Sequence, residues 1–254
     1  MIDKTAIISK KSRIGKNVSI GPYCIIEDDV IIGDNTSIGP YSLIKKFTEI
    51  GKDCRIFSHC VIGEIPQDKK FNNEITKLII GDNNTIREFC TINRGTEESR
   101  KTIIGNNCLF MAYVHVAHDC ILKNDIILAN GVQLGGHVEV NNFAIIGGMT
   151  PVHQFCKIGK YAFVGGGLRV VQDVPPFIIA NGEPLKYSGI NILGLRRRKF
   201  NSEDRDKIKK IYKLIYNSEH NISQAINYIS ENYKNIDFIN DIVNFIQTSK
   251  RGII

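Results

Sequence analysis

The 254-residue chain is 43% hydrophobic and 23% charged, with a formal net charge of +7. It is long enough to bury a sizeable core, in one large domain or two smaller ones. No apolar run approaches the ~18 residues of a membrane-spanning helix, and the first ten residues lack a signal peptide's hydrophobic stretch. We therefore expect a soluble, cytoplasmic protein without membrane insertion. The charge favours an acidic partner or a phosphorylated ligand, whereas the lack of aromatic platforms or a recognisable binding module argues against nucleic acid.

An apolar residue recurs every six positions along most of the chain. Isoleucine occupies every sixth position from Ile2 to Ile62, and apolar residues keep the same period from Ile104 to Val170. Because six is a multiple of two, an extended chain keeps these residues on one face, whereas an α-helix would distribute them around its axis. The period excludes a coiled coil, and the lack of longer alternating strands excludes a β-sandwich. The pattern predicts a parallel β-solenoid.

The hexad pattern resembles that of the hexapeptide-repeat family, whose members fold as left-handed parallel β-helices with three hexads, or 18 residues, per coil. The resemblance alone implies the left hand. We expect an all-β prism over residues 1–174, with polar loops at 64–78 and 94–102, and a small α-helical domain over 175–254. In the latter, Ser202 and Ser223 are predicted to cap two helices, and a further helix is predicted over 236–247.

The seven cysteines occupy one phase of the hexad, four residues after an inward apolar position. We therefore expect them to be small, inward-facing core residues, not metal ligands or disulfide partners. An odd number of cysteines without a secretion signal also fits a reducing cytoplasm. They are Cys24, Cys54, Cys60, Cys90, Cys108, Cys120 and Cys156.

Four of the six histidines lie in one 39-residue stretch, at His115, His118, His137 and His153. After subtraction of whole 18-residue coils, all four fall within a five-residue window, so we expect them along one edge of the prism. Three interpretations of this cluster are open. It is a solvated edge, a zinc site built from imidazoles, or a general-base site in which Asp119 tunes the imidazole of His118.

Several motifs are more specific than the hexads. The segments VHVAHDC, LGGHVEV, FAIIGGMTPVHQFC and QDVPPFIIANG resemble the cytoplasmic UDP-N-acetylglucosamine 3-O-acyltransferase family that begins lipid A synthesis. IGEIPQDKKF, IREFCTINRGT and NILGLRRRKF extend the resemblance over the whole chain. It implies a homotrimer that transfers a 3-hydroxyacyl chain from acyl carrier protein to the 3-hydroxyl of UDP-N-acetylglucosamine. It also implies direct attack, without an acyl-enzyme, a cofactor or a metal.

The resemblance assigns three catalytic residues. His118 matches the general base that removes the proton of the sugar hydroxyl, and Asp119 matches the carboxylate that polarises it. Gly136 matches the residue whose backbone N–H stabilises the oxyanion of the tetrahedral intermediate. Gly136 also lies one 18-residue coil after His118, so the coil arithmetic independently brings the two together.

Further positions match substrate-binding residues of the family. Asp68 and Lys70 match positions that reach the sugar nucleotide or the acyl chain across a subunit boundary, and Gly166 matches a hydrocarbon ruler that leaves the groove open to a longer chain. Two departures are Asn93, where a histidine is common, and Leu193, where a glutamate that contacts the nucleotide is common. Gln154, Asn191, Arg197 and the adjacent Arg198 match the contacts to the uridine and the diphosphate. The full predicted substrate-binding set is Asp68, Lys70, His115, His137, His153, Gln154, Gly166, Asn191, Arg197 and Arg198.

Three alternatives to this function remain at the level of sequence. The same transfer could be directed onto the amine of a 3-amino sugar nucleotide. The same prism could carry a zinc-dependent hydratase of the carbonic anhydrase type, or it could serve as a structural scaffold. Metal analysis separates the hydratase from the transferase, and binding of UDP-N-acetylglucosamine separates the scaffold.

Overall fold

The structure, a computed structural model, describes residues 1–233 and 235–254. The first thirteen strands are β1 (Ile7–Ile8), β2 (Arg13–Ile14), β3 (Ser19–Ile20), β4 (Ile25–Ile26), β5 (Ile31–Ile32), β6 (Ser37–Ile38), β7 (Leu43–Ile44), β8 (Thr48–Ile50), β9 (Arg55–Ile56), β10 (Val61–Glu64), β11 (Lys77–Ile80), β12 (Thr85–Ile86) and β13 (Thr91–Asn93). The remaining strands are β14 (Lys101–Ile104), β15 (Leu109–Phe110), β16 (His115–Val116), β17 (Ile121–Leu122), β18 (Ile127–Leu128), β19 (Gln133–Leu134), β20 (Glu139–Val140), β21 (Ile145–Ile146), β22 (Pro151–Val152), β23 (Lys157–Ile158), β24 (Phe163–Val164), β25 (Ile178–Asn181) and β26 (Lys186–Ile190). The helices are α1 (Ile192–Arg197), α2 (Ser202–Tyr216), α3 (Ile222–Asn232) and α4 (Asp237–Gln247).

Strands β1 to β24 wind into a three-sided prism. Successive strands enter three sheets in rotation: the first sheet runs β1-β4-β7-β10-β13-β16-β19-β22, the second runs from β2 to β23, and the third from β3 to β24 and on to β25 and β26. Neighbouring strands of the prism are parallel, and Ile7 pairs with Ile25, one coil of 18 residues later. The predicted parallel solenoid is confirmed.

The six-residue period determines which side chains fill the prism. Repeat residues such as Ile26, Ile32 and Ile44 are no more than 1% exposed. Each fully buried isoleucine contributes about 1.5–3 kcal/mol. All seven cysteines are free and buried, as their phase predicted.

Three corners separate the sheets, and each is a column of residues 18 positions apart. Many non-glycine corner residues adopt a left-handed backbone with φ near +60°. The site corner, between the first and second sheets, contains Asp119, His137 and Phe155. The arginine corner, between the second and third sheets, contains Asp125, Phe143 and Tyr161, and takes its name from Arg198, which lies against Phe143. The glycine corner, between the third and first sheets, contains Gly131, Met149 and Gly167.

Both loops leave the prism at the site corner, because each connects a strand of the first sheet to one of the second. Loop 1 spans 65–76, between β10 and β11, and loop 2 spans 94–100, between β13 and β14. Both are shorter than the predicted ranges 64–78 and 94–102. The reason is that β11 and β14 pair with each other over four residues, from Lys77↔Lys101 to Ile80↔Ile104, and so include residues that the sequence suggested were loop.

The segment after Pro175 is not wholly helical, contrary to prediction. It opens with the antiparallel hairpin β25–β26, which continues the third sheet past residue 174. The predicted division of the chain into two domains, 1–174 and 175–254, stays a prediction. Both predicted caps are also wrong by one or two residues. Asn201 caps α2 by accepting from the N–H of Asp204, and Asn221 caps α3 in a capping box with Gln224.

The helix predicted over 236–247 is present as α4. Its buried residues include Ile239, Ile242 and Val243, which belong to the same core as the prism. The chain end returns to the prism, where the N–H of Ile254 donates to the carbonyl of Asp173. In the described ranges, none of the helices combines the length and the apolar composition needed to cross a membrane.

Candidate active site

Asp119 is a buried carboxylate held at the site corner. Its side chain is 0% exposed, and its backbone N–H donates to the hydroxyl of Thr102. Nδ1 of His118 lies 2.8 Å from Oδ2 of Asp119. Burial raises the pKa of the Asp119 carboxyl, but hydrogen bonds from His118, Ser99 and Thr96 outweigh burial and lower that pKa well below its usual value. The carboxylate is therefore ionised at neutral pH.

The hydrogen bond between His118 and Asp119 fixes the tautomer of the imidazole. An ionised carboxylate only accepts hydrogen bonds, so Nδ1 of His118 carries the proton and donates. Nε2 of a neutral His118 is then left with a free lone pair. The arrangement supplies a base whose protonated form would be stabilised by the adjacent carboxylate.

Gly136 lies directly against the ring of His118. A Cβ atom at Gly136 would come within 2.6 Å of Cε1 and 2.7 Å of Nε2 of His118, closer than any side chain could tolerate. Among the residues that the structure describes, none accepts a hydrogen bond from the backbone N–H of Gly136. The glycine therefore leaves room for the imidazole and keeps one backbone donor beside it, as the coil arithmetic predicted.

His137 lies one coil above Asp119 and completes the cluster. Its ring packs edge-on to His118 at a centroid distance of 5.2 Å and stacks on Phe155 at 4.4 Å. Nε2 of His137 is 3.6 Å from Oδ2 of Asp119 and 3.5 Å from Oε2 of Glu98. Three of the predicted site residues are thus in mutual contact.

A cavity of about 720 Å³ opens onto this cluster between the two loops. Within a single chain, Asp68 and Lys70 line the same cavity as His118. Oδ1 of Asp68 accepts from the backbone N–H of Lys70 at 2.9 Å, which fixes the turn that presents both side chains. The complete lining is Gln67, Asp68, Lys69, Lys70, Phe71, Glu74, Thr96, Glu97, Glu98, His118, His137, Gln154 and Phe155.

His115 lies three residues before His118, on the outer side of β16. Its Nδ1 is 2.7 Å from the hydroxyl of Thr91, on the neighbouring strand β13. Burial, with a further contribution from His118, lowers the pKa of His115, so its imidazole is neutral at neutral pH. A neutral ring with one nitrogen occupied by Thr91 can offer the other nitrogen to a ligand.

The cluster resembles a metal site in composition but not in its hydrogen bonds. Ligand atoms of His118, Asp119 and His137 all lie within 4.8 Å of one another. However, Oδ1 of Asp119 already accepts from the backbone N–H of Thr96 and the hydroxyl of Ser99. Oδ2 accepts from the hydroxyl of Thr96 and from Nδ1 of His118. Four donors occupy the four lone-pair positions of the carboxylate, so a metal ion would have to displace one of them. Asp119 is therefore not free to act as a zinc ligand.

Comparisons with known proteins agree with this geometry. Residues 173–254 match the family model for domain 2 of UDP-N-acetylglucosamine O-acyltransferase, and residues 11–46 and 101–136 match the bacterial transferase hexapeptide model. The chain is 50% identical to the acyl-(acyl-carrier-protein)–UDP-N-acetylglucosamine O-acyltransferase of Aliarcobacter butzleri, over 99% of this chain and 97% of that one. It belongs to this acyltransferase family. A Herminiimonas arsenicoxydans relative of the same name is 48% identical over 100% of this chain and 99% of its own.

Solved structures of the family have the same fold. The Francisella novicida UDP-N-acetylglucosamine acyltransferase superposes with a TM-score of 0.98 at 39% identity, over 100% of this chain and 94% of that one. The Bacteroides fragilis enzyme gives 0.97 at 45% identity, over the full length of both chains. The predicted left-handed parallel β-helix with a helical C-terminal part is confirmed.

Three of the four residues that the family resemblance matches to the uridine and the diphosphate lie at a different corner: Asn191, Arg197 and Arg198. The fourth, Gln154, lines the cavity beside His118. Asn191 caps α1 and donates to the carbonyl of Tyr161, and the guanidinium of Arg198 lies 4.2 Å from the ring centre of Phe143. Arg198 also approaches Asp125 at 3.9 Å. All of these contacts are with the arginine corner. Arg197 is exposed on the same helix. Within one chain, this group is separated from His118 by a whole face of the prism.

Gly166 occupies a third position, at the glycine corner. It stacks on Gly148 of the preceding coil, and a Cβ atom at Gly166 would lie 3.1 Å from the carbonyl oxygen of Gly148. Gly148 stacks in the same way on Asn130, with a corresponding distance of 3.1 Å. The two glycines form a strip without side chains along the coils, which is the shape an open groove requires.

Gln154 and His153 are neighbours in the sequence but differ in their access to the cavity. Gln154 reaches the cavity, whereas His153 is exposed, with Nδ1 3.0 Å from the carbonyl of Gln154, and does not line it. Coil spacing predicted that all four histidines would lie along one edge, but only His118 and His137 of the four line the cavity.

Asn93 is buried and its amide donates to the carbonyl of Ile65, so it ties the start of loop 1 to the prism.

Sequence reasoning missed Thr96, Ser99 and Thr91. The first two lie in loop 2, which interrupts the period, so that Thr91 pairs with His115 at a spacing of 24 rather than 18 residues. Coil arithmetic therefore could not align loop 2 with Asp119. The spacing across β13 and β16 could have placed Thr91 beside His115 only if the length of loop 2 had been known.

Proposed function

We propose that this protein transfers a 3-hydroxyacyl chain from acyl carrier protein to the 3-hydroxyl of UDP-N-acetylglucosamine, the first step of lipid A biosynthesis. The names of its relatives describe this donor and this acceptor. The observation that carries the proposal is the pair formed by His118 and Asp119, with Gly136 against the imidazole.

The proposed reaction needs no covalent intermediate with the protein. Nε2 of His118 accepts the proton of the sugar 3-hydroxyl while the oxygen of that hydroxyl forms a bond to the thioester carbonyl carbon. The negative charge on the carbonyl oxygen is stabilised by the backbone N–H of Gly136, and the positive charge on the imidazole by Asp119. The carbon–sulfur bond then breaks, and the proton passes from His118 to the departing thiolate of the carrier. Atoms and charge balance without a metal or a cofactor.

A homotrimer is part of the proposal. The nucleotide residues Asn191, Arg197 and Arg198 and the ruler Gly166 lie on corners other than that of His118, so one chain cannot direct all of them at one substrate. Adjacent prisms with their corners facing each other would complete the site. The acyl chain would then lie in the groove between prisms, with its far end beside the glycine strip.

The remaining substrate contacts follow from chemistry. Asp68, Lys70, His115 and His137 would bind the sugar and the head of the acyl chain. Gln154 and Asn191 would contact the uridine diphosphate, and the arginine pair would bind the diphosphate through bidentate hydrogen bonds. His153 would contribute only if a neighbouring chain brought substrate to it. We also propose a cytoplasmic location, which suits seven free cysteines. Helices α1 and α2, in which Lys and Arg outnumber Asp and Glu, are proposed as the surface that receives the acidic carrier protein.

The test is an acyl-transfer assay with 3-hydroxyacyl carrier proteins of several lengths, given both UDP-N-acetylglucosamine and its 3-amino analogue. We expect an ester at the 3-oxygen and preference for a longer chain. Acylation of the amino analogue alone would replace the proposed acceptor, and no transfer to either would reject the function. Incubation with a chelator should leave the rate unchanged, and loss that zinc restores would support a zinc-dependent hydratase-like site instead.

A further inference from the structure

We propose that Thr96 and Ser99 of loop 2 are positioning residues, which hold Asp119 in the orientation that aligns His118. The inference rests on the function proposed above, because it concerns how the general base of that reaction is set. It also gives loop 2 a definite role. The hydroxyl groups of Thr96 and Ser99 act on the reaction through the carboxylate of Asp119, and Thr96 also lines the cavity.

Loop 2 supplies three of the four hydrogen bonds that Asp119 receives through its carboxylate. The backbone N–H of Thr96 donates to Oδ1 at 2.9 Å, and its hydroxyl donates to Oδ2 at 2.7 Å. The hydroxyl of Ser99 donates to Oδ1. A threonine that bonds both oxygens fixes the plane of the carboxylate, since rotation would break one bond or the other. The remaining position on Oδ2 then points at Nδ1 of His118.

Loop 2 is itself held at both ends. The N–H of Gly95 donates to the carbonyl of Lys77 at 3.2 Å, which ties the start of the loop to β11, and the N–H of Arg100 donates to the carbonyl of Thr96 at 2.8 Å within the loop. Strand β14 begins at Lys101, two residues after Ser99, and is paired on one side with β11 and on the other with β17. The donors are therefore attached to a rigid frame, and the loop does not need substrate to place them.

The energetics favour a role in alignment. The side chain of Asp119 has no exposed surface, so without its donors the buried negative charge would be energetically unfavourable. The carboxylate would then either take up a proton or rotate out of its present orientation. The hydrogen bonds from Ser99 and Thr96 help lower the pKa of Asp119, which preserves the ionised acceptor that His118 needs. A reoriented or neutral Asp119 would leave the base free to adopt the wrong tautomer or rotamer.

Four single variants test the proposal in the full chain. Thr96→Val and Ser99→Ala each remove one hydroxyl, Thr96→Ser restores the hydroxyl that valine lacks, and Arg100→Gln changes an exposed side chain of the same loop. We expect Thr96→Val and Ser99→Ala to lower kcat by roughly 10-fold, with KM for UDP-N-acetylglucosamine within about twofold of wild type. Thr96→Ser and Arg100→Gln should stay near wild type.

A double-mutant cycle with Asp119→Asn distinguishes action through Asp119 from general loss of structure. If the hydroxyls act through the carboxylate, their removal in the Asp119→Asn background should change kcat by less than about twofold. Effects on kcat that multiply in the double mutants, or a kcat near wild type in both hydroxyl variants, would overturn the proposal. Circular dichroism and thermal melting verify that each variant is folded.

A second measurement does not depend on activity. Carbon-13 NMR of the Asp119 carboxyl should give a pKa below the usual aspartate value in wild type and a higher pKa in Ser99→Ala and Thr96→Val. An unchanged Asp119 titration in both variants would overturn the anchoring role even in an active enzyme. If wild type shows the low pKa but transfers no acyl group, the proposed function fails while the anchoring of Asp119 stands.

Discussion

The site corner and the arginine corner carry different kinds of residues. At the site corner, the Asp119 side chain is 0% exposed and that of His118 is 15% exposed, and every acceptor position of the carboxylate is occupied. At the arginine corner, the Arg198 side chain is 46% exposed and meets Asp125 only at 3.9 Å. The first corner is complete within one chain, whereas the second keeps donors free for something outside it.

This difference separates reaction from recognition. A buried network with fixed geometry determines how a proton moves, so changes there should act on kcat. Exposed guanidinium groups gain little from surface ion pairs, about 0–1 kcal/mol, and remain available to bind phosphate oxygens. Changes there should act on KM. The predictions below test this division, beginning with the largest effect.

His118→Ala should lower kcat by about 10²–10⁴-fold while the protein stays folded, because it removes the proposed general base but leaves the inward-facing repeat residues of the prism unchanged. The measurement is the initial rate of acyl transfer at saturating substrates, with melting temperature as a check on folding. His220→Ala, at an exposed position between α2 and α3, is the matched control and should behave as wild type. A folded His118→Ala enzyme with near-normal kcat would remove His118 from the mechanism.

Gly166→Met should shift donor preference towards shorter chains, because a side chain there projects from the glycine strip into the space proposed for the distal methylenes. Each excluded methylene loses roughly 0.8 kcal/mol of burial, so exclusion of two or three changes the ratio of long to short donors by about 10–100-fold. Competition between the two donors on wild type and variant measures the ratio.

The same experiment contains its own control, since the proposed reaction places the acyl head group at the site corner, away from Gly166. Total turnover with the short donor should therefore remain near wild type. An unchanged length preference at comparable total activity would show that Gly166 is not the ruler. A fall in turnover with every donor would instead indicate damage to the packing against Gly148.

Gly136→Ala should lower kcat by about 10-fold or more and change KM little. The added methyl group would lie 2.6–2.7 Å from the ring of His118, so the imidazole must move from its place against the backbone. Gly135→Ala is not a neutral control, because its Cβ would meet the backbone of Gln154 at 2.8 Å. Gly167→Ala is a better one, with no atom within 4 Å of the new carbon, although its φ of +71° adds some strain. Equal losses in both variants would point to general destabilisation.

The sequence predicts those parts of the fold and the site that follow from the six-residue period, and few others. Subtraction of 18-residue coils places Gly136 against His118 and His137 above Asp119, because parallel strands in register repeat the same geometry at every coil. It also predicts the inward cysteines. It fails for Thr96 and Ser99, since the two loops break the register, and for His153, whose column is right but whose side chain faces solvent. Hairpin β25–β26 was missed because its strands follow the last hexads without their spacing.

Arg197→Ala should raise KM for UDP-N-acetylglucosamine by about 10-fold with a smaller change in kcat, since a charge-assisted hydrogen bond of roughly 1.5 kcal/mol would be lost both before and during reaction. Arg196→Ala is the matched control. It removes the same charge from the same helix but from a position about 100° around the axis, so a general loss of basic charge would affect both variants alike. An increase confined to KM for the acyl carrier protein would place Arg197 on the surface that receives the donor. An equal fall of kcat and kcat/KM would contradict the division between the two corners, because it would mean that the arginine contributes only in the transition state.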